Sequence, residues 1–100
     1  MAKTLDSKTL ARIAPKLAEL SQQVLFDDIW QRDALTPRER SLITLAALTA
    51  LGRVQQLPWH IESAQQNGLA REEIVEVFTH LAFYTGWPAA VSALSCLEEA

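Results

Sequence analysis

The chain has 100 residues, of which 49% are apolar, and its formal net charge at pH 7 is −3. This length predicts a single domain over residues 1–100. A domain this small buries only a modest part of its surface by itself, and 49% apolar residues are more than an isolated small domain usually needs. We therefore expect part of the apolar surface to contact further copies of the chain. An acidic balance without a cluster of Lys and Arg side chains predicts no nucleic-acid partner.

Two short helical segments are predicted in the first third of the chain. Apolar residues recur at helical spacing over about 7–20, which predicts the first of them. Pro15 lies in its middle and predicts a kink, or a break into two short helices. A second short helix, carrying several large apolar residues, is predicted over about 21–31.

The third helix has the clearest start signal in the sequence. Thr36 is suited to the N-cap, Pro37 to the first helical position, and Glu39 completes a Thr-x-x-Glu capping box. The helix is predicted to end at Gly52. Residues 42–51 are apolar or small almost all round, so we expect other helices or other subunits to enclose this element.

Three more helices are predicted after the third one, over about 58–67, 71–85 and 88–98. Gly86 suits the end of the fifth helix because glycine tolerates a positive φ. Pro88 suits the first turn of the sixth helix, where its missing N–H costs no hydrogen bond. The whole pattern predicts an all-α fold, a compact bundle of about six helices.

The two histidines are candidates for acid–base chemistry. His60 lies between an aromatic and a β-branched residue, so we expect a partly enclosed ring that acts as general acid or base, or an interfacial histidine with one hydrogen bond. His80 lies in an otherwise apolar turn, which predicts a buried ring with a partner, in a site or across a helix pair. The two rings could face one pocket. No His-x-x-x-His or His-Glu pairing places two metal ligands on one helix face, so we expect no metal and no other cofactor.

Three further residues could line a substrate site. Arg40 lies one turn before Thr44 and could receive an anionic substrate, or it could pair with an acid such as Asp33. Tyr84 and Trp87 share a helix face with His80 and could line a cavity, although such residues also form cores and subunit interfaces.

Cysteine content and the N-terminus indicate the compartment. The one cysteine, Cys96, has no cationic neighbour in its segment and is interpreted as inert core. A single cysteine excludes an intrachain disulfide, which fits a reducing cytoplasm. The sequence has no signal-peptide core and no apolar run long enough to span a bilayer, so we expect a cytoplasmic protein without a membrane partner.

Two segments carry a resemblance to a known family. Arg-x-Arg-Ser-Leu at 38–42 and His-Leu-Ala-Phe-Tyr-x-Gly-Trp-Pro at 80–88, together with His60, resemble the carboxymuconolactone decarboxylase family, over about residues 15–98. The resemblance implies an alkylhydroperoxidase D-like helical fold that assembles into homotrimers or homohexamers. It also implies a lyase of aromatic compound catabolism, which removes CO₂ from a small anionic lactone or a related carboxylate.

For this chemistry the resemblance implies three roles. His60 is expected to be the general acid, Arg40 to recognise a carboxylate, and His80 to polarise or orient the substrate. Tyr84 and Trp87 are expected to form a wall of the substrate site.

The same superfamily contains cysteine-dependent peroxidases, and the chain departs from their motif. Their two cysteine positions fall on Arg53 and Gln56, and their glutamate position falls on Ser41, so only His60 carries over. Peroxidase activity is therefore not expected. A non-catalytic member that binds a small molecule, or a structural oligomer, is the alternative, because family does not fix function.

Overall fold

The computed structural model describes residues 5–99, which are helical and contain no strand, as the sequence predicts. The chain divides into two compact units, Met1–Pro37 and Arg38–Ala100. The assignment of 1–100 to a single domain stays a prediction. No helix within residues 5–99 is both long enough and apolar enough to cross a membrane.

The first unit begins with two short helices, α1 (Ser7–Ile13) and α2 (Pro15–Leu20). Asp6 caps α1 by accepting a hydrogen bond from the Thr9 backbone N–H at 2.7 Å. Pro15 occupies the first position of α2, which confirms the predicted break.

The predicted helix over 21–31 is wrong as an α-helix. A π-helical turn, Ser21–Phe26, follows α2 directly, and a 3₁₀ turn, Ile29–Gln31, comes after it. At the end of the π-helical turn the Asp27 N–H donates to the Gln22 carbonyl at 2.9 Å, five residues back, a spacing that defines a π-helix. No residue between 5 and 37 is buried.

The second unit contains four longer helices: α3 (Pro37–Leu51), α4 (Leu57–Gln66), α5 (Arg71–Thr85) and α6 (Trp87–Glu99). The first residue of α3 is the last residue of the first unit. The ends of these helices agree with the sequence prediction to within one or two residues. Both α4 and α5 pack against α6.

The core of the second unit receives side chains from all four helices, and its largest fully buried members are Leu45, Leu57, Ile61, Ile74 and Phe78. The expected enclosure of α3 is not seen within this chain. Its buried residues lie on one side, whereas Ile43 is 57% exposed and Leu51 is 65% exposed.

Two polar contacts fix the relative directions of three helices. The Asn67 side-chain amide donates to the Ser41 hydroxyl at 3.0 Å, so the residue after α4 lies beside the first turn of α3. Arg38 forms an ion pair with Glu73, which brings the start of α5 to the same place. Since the start of α3 meets the end of α4, these two helices run antiparallel and their connection lies at the opposite end.

Candidate functional site

An open depression of about 720 Å³ lies at the connection between α3 and α4. Its wall combines apolar side chains from the last turn of α3 with polar side chains that follow it. The lining residues are Leu48, Leu51, Gly52, Arg53, Val54, Gln55 and Gln56. Arg53 is the one charged residue among them, and no Asp or Glu lines the depression.

Backbone hydrogen bonds fix the rim of this depression. At the end of α3 the Gly52 N–H donates to the Thr49 carbonyl at 3.1 Å, and the Arg53 N–H donates to the Leu48 carbonyl at 2.8 Å. This pair of bonds is the Schellman motif, and Gly52 adopts the positive φ of 70° that the motif requires. The Gln56 N–H then donates to the Arg53 carbonyl at 3.2 Å, so the residues that lead into α4 form a closed turn.

His60 lies one helical turn from the depression. Its N–H donates to the carbonyl of Gln56, a lining residue, at 3.3 Å. The ring is half-buried, as predicted, and meets the edge of Trp59 with centroids 4.8 Å apart at 81°. Burial lowers the pKa of His60 below its ordinary value because water no longer solvates the imidazolium. At neutral pH the ring is therefore mainly uncharged.

The antiparallel pairing of α3 and α4 also relates His60 to the wall of the depression. Leu48 and His60 are each seven residues from the contact between Ser41 and Asn67, one along α3 and the other along α4. At about 1.5 Å per residue, both lie about 10 Å from that contact along their helices. His60 is thus level with Leu48, which lines the depression.

His80 lies at the surface, and the expectation that it is buried is wrong. Helix α5 buries the face that carries Ile74 and Phe78, and a residue two positions after Phe78 points to the opposite side of a helix with 3.6 residues per turn. The imidazole stacks on the ring of Tyr84, one turn further on, with centroids 4.9 Å apart at 26°. Tyr84 is 77% exposed, and Trp87 is 69% exposed.

The structure therefore brings two of the predicted site residues, His80 and Tyr84, into contact. The ring contact of His60 is with Trp59 and that of His80 is with Tyr84, and no contact joins the two imidazoles among residues 5–99. The prediction that both histidines serve one pocket stays a prediction.

Arg40 belongs to the other end of α3. Its side chain is half-buried, and its carbonyl accepts a hydrogen bond from the Thr44 hydroxyl at 2.8 Å. Eleven residues, or about 16 Å along the helix axis, separate Arg40 from Leu51 in the wall of the depression. The cation that does line the depression, Arg53, is not among the residues predicted to contact substrate. Its position directly after the helix-ending Gly52 is the sequence signal that could have identified it.

Cys96 lies close to the depression but does not line it. Cys96 is buried, and its Sγ donates to the carbonyl of Val54 at 3.4 Å, behind the wall of the depression. Within the part of the chain that the structure describes, no three His, Cys, Asp or Glu side chains are grouped so that they could hold a metal ion.

The model of the carboxymuconolactone decarboxylase family matches residues 15–99. The chain belongs to this family. The match confirms the resemblance that the two sequence segments indicate, and it includes the whole depression and both histidines.

Three relatives show how this family member compares with known proteins. It is 38% identical over 72 residues to the 4-carboxymuconolactone decarboxylase of Acinetobacter baylyi, which covers 72% of this chain and 54% of the relative. It is 33% identical over 76 residues to the nitrosuccinic acid decarboxylase of Metarhizium robertsii, and the aligned residues cover 76% of this chain and 53% of the relative. It is 25% identical over 95 residues to an uncharacterized 15.0 kDa protein of Paracoccus denitrificans, and the aligned residues cover 93% of this chain and 71% of the relative.

The family is thus decarboxylase-like, since both of the more similar relatives are named decarboxylases. The chain spans about half the length of each of these two proteins.

Proposed function

We propose that the chain is a decarboxylase that acts on a small carboxylic acid at the depression between α3 and α4, with His60 as the general acid. The observation that carries the proposal is the position of His60, half-buried and one turn from a depression whose charged side chain is a cation. The names of the two decarboxylases support the same reaction class, because each specifies an acid with a neighbouring electron-accepting group, a lactone or a nitro group.

The reaction needs an electron acceptor and a proton donor. The bond between the substrate carbon and its carboxylate breaks, CO₂ leaves, and the electron pair stays on the substrate. A conjugated lactone carbonyl or an equivalent group accepts that pair. A proton then moves from the His60 imidazolium to carbon, and water returns a proton to the imidazole. The sum is one carboxylate and one proton converted to CO₂ and the protonated product.

The burial of His60 suits this role. A lowered pKa makes the imidazolium a stronger acid, and a stronger acid delivers its proton to carbon more readily. Only a minor fraction of the ring is protonated at neutral pH, so we expect kcat/KM to rise as the pH falls toward the pKa of His60.

The direct test is turnover of 4-carboxymuconolactone by His60→Ala, followed as CO₂ release. We expect kcat to fall by about 10²- to 10⁴-fold, the usual contribution of a general acid. Glu62→Gln is the matched control, because Glu62 is exposed on the same helix and does not line the depression. Full turnover by His60→Ala would remove His60 from the reaction. Substrate binding by the unaltered chain without any CO₂ release would favour the alternative, a non-catalytic binding protein.

The other predicted site residues do not line the depression, and their roles in the reaction stay proposals. His80, Tyr84 and Trp87 form an exposed group around the turn between α5 and α6, so a role as polarising donor and aromatic wall requires another copy of the chain to cover them. Arg40 stays a predicted carboxylate contact at the far end of α3.

We propose that the chain forms a homotrimer or homohexamer. Exposed aromatic rings support this assembly, since Phe83 is 80% exposed and is followed by the exposed Tyr84 and Trp87. Light scattering during size-exclusion chromatography measures the mass directly. A monomer at micromolar concentration would contradict the proposal, and Trp87→Ala should weaken the assembly. We also propose a cytoplasmic role in the breakdown of aromatic compounds, and activity on 4-carboxymuconolactone would support the part of this proposal that concerns the reaction.

A further inference from the structure

We propose that the exposed face of α5 packs against the same face of a second copy of the chain, with the two helices antiparallel across a two-fold axis. A two-fold contact joins copies in pairs, so the assembly contains an even number of copies, which selects the hexamer over the trimer. This inference rests on the assembly part of the proposed function, because it names the surface through which copies meet, and it does not involve the depression.

The exposed face of α5 is a continuous row of side chains along the helix. Its members recur at alternating spacings of three residues and one, so they lie on one side of the helix, opposite the buried Ile74 and Phe78. We call this row the outer stripe of α5, and it consists of Glu72, Val75, Glu76, Thr79, His80, Phe83 and Tyr84. A row with this spacing is suited to packing against another helix.

The two ends of the outer stripe differ in chemistry. Glu72 and Glu76 are exposed acids at its start, and neither takes part in an ion pair found among residues 5–99. His80, Phe83 and Tyr84 are exposed rings at its end, where the imidazole of His80 stacks on the ring of Tyr84. One end thus offers carboxylate acceptors, and the other offers an imidazole, a phenol and an apolar ring.

Antiparallel pairing centred near Thr79 brings these unlike ends together. Glu76 of each copy then lies beside His80 of the second copy, and Val75 of each lies beside Phe83 of the second. The Thr79 hydroxyl already donates to the Val75 carbonyl at 2.8 Å, so closing the contact leaves no unpaired hydroxyl donor at its centre. A parallel pair would instead place the acids of the two copies against each other, which costs free energy. The charges of the outer stripe therefore favour a second copy in the antiparallel direction as its occupant.

The exposed aromatic area is large enough for a stable contact between copies. Phe83 is 80% exposed and Tyr84 is 77% exposed, and Trp87, just beyond the turn at Gly86, is 69% exposed. At about 200 Å² for each aromatic residue, the three rings expose about 450 Å² in each copy. A stable interface buries about 800 Å² on each partner, so these rings account for over half of the area required. Aromatic residues are also enriched at the centre of such interfaces.

Sedimentation equilibrium of the full chain tests the contact by counting copies and measuring their dissociation constant. We expect an even number of copies. His80→Glu places a carboxylate against Glu76 of the second copy, and it should weaken association about tenfold or more because a two-fold contact contains this repulsion twice. Phe83→Ala removes an exposed ring and should also weaken association. Gln65→Glu is the matched control, since it adds the same charge at an exposed position on α4 and should leave the dissociation constant unchanged. Circular dichroism verifies that each variant is folded.

A charge exchange tests the direction of the two helices. The double variant Glu76→Lys with His80→Glu places the introduced lysine of each copy against the introduced glutamate of the other when the helices are antiparallel. It should therefore associate about as tightly as the unaltered chain. Parallel helices would place lysine against lysine and glutamate against glutamate, so the double variant would then stay as weak as His80→Glu or become weaker.

The outcomes separate this inference from the proposed function. A trimer would overturn the pairing of α5 and leave the proposed homotrimer standing. Association that neither His80→Glu nor Phe83→Ala weakens would also overturn it, because a different partner would then cover the outer stripe. A monomer at micromolar concentration would end both the pairing and the proposed assembly. None of these results depends on turnover, so a paired chain that releases no CO₂ would end the decarboxylase proposal alone.

Discussion

The glycines at two helix ends allow a sharp test of how the backbone is held at the depression. Gly52 has a φ of 70°, within the left-handed region, and a Cβ added there would meet nothing within 4 Å. The cost of Gly52→Ala is therefore conformational and not steric. An L-residue in this region loses about 1–2 kcal/mol, so we expect the free energy of unfolding to fall by roughly that amount.

Gly86 provides the comparison because its backbone lies outside the left-handed region. It has a φ of 101° and a ψ of 150°, a conformation that only glycine adopts readily. The nearest atom to an added Cβ is the Pro88 Cδ at 3.9 Å, an ordinary contact. Gly86→Ala should therefore cost about 1–3 kcal/mol through backbone strain alone, at least as much as Gly52→Ala.

Asparagine distinguishes the two sites, since it visits the left-handed region far more easily than alanine. We expect Gly52→Asn to recover most of the stability that Gly52→Ala loses, and Gly86→Asn to recover little. Urea unfolding followed by circular dichroism at a fixed chain concentration measures each difference. Equal losses for Gly52→Asn and Gly86→Asn, or no loss for Gly52→Ala, would refute the reasoning from φ.

Three further predictions concern the second unit. Because burial lowers the pKa of His60 in the folded chain, the unfolded chain takes up the proton first as the pH falls below 6.5. The free energy of unfolding should therefore decline as the pH falls from 6.5 to the pKa of His60 in the folded chain. His60→Gln should reduce this decline, measured as the urea midpoint at each pH, and an unchanged pH dependence of the midpoint would contradict the prediction. Glu73→Ala removes the bond to the Ala70 N–H and the ion pair with Arg38, so it should cost about 1–2 kcal/mol in thermal unfolding. Glu73→Gln, which keeps an acceptor, should cost less. Phe78→Ala, at a fully buried position, should cost about 3–5 kcal/mol, and a loss below 1 kcal/mol would show that the site collapses around the gap.

The helix ends were predictable from the sequence because their signals are local. Pro37 at the first position of α3 and Gly52 just beyond its last residue act on their own backbone, whatever packs nearby. The stretch from 21 to 31 was not predictable in the same way. Its side chains suit a helix, but the choice between α and π hydrogen bonds at Ser21–Phe26 is a small energetic difference that composition does not reveal.

Burial and the position of the depression were less predictable, because both depend on several helices at once. His80 has apolar neighbours in sequence, yet α6 and the core cover the face of α5 that carries Phe78 and leave the opposite side exposed. Arg40 was favoured by residue type and by the apolar helix that follows it. Arg53 lines the depression only because a Schellman motif and a short turn bring the end of α3 to the start of α4.

Part of the exposed apolar surface of the chain lies in the first unit. Six of its apolar side chains are each between 41% and 59% exposed: Ile13, Leu17, Leu20, Val24, Leu25 and Ile29. Helices of seven and six residues are too short to be stable in water by hydrogen bonding alone, so α1 and α2 need apolar burial to persist. No residue between 5 and 37 is buried within the chain, and a second copy is the surface that the proposed assembly supplies. If the proposed oligomer forms, conditions that dissociate it should therefore reduce the helical signal of this segment before the core around Phe78 unfolds.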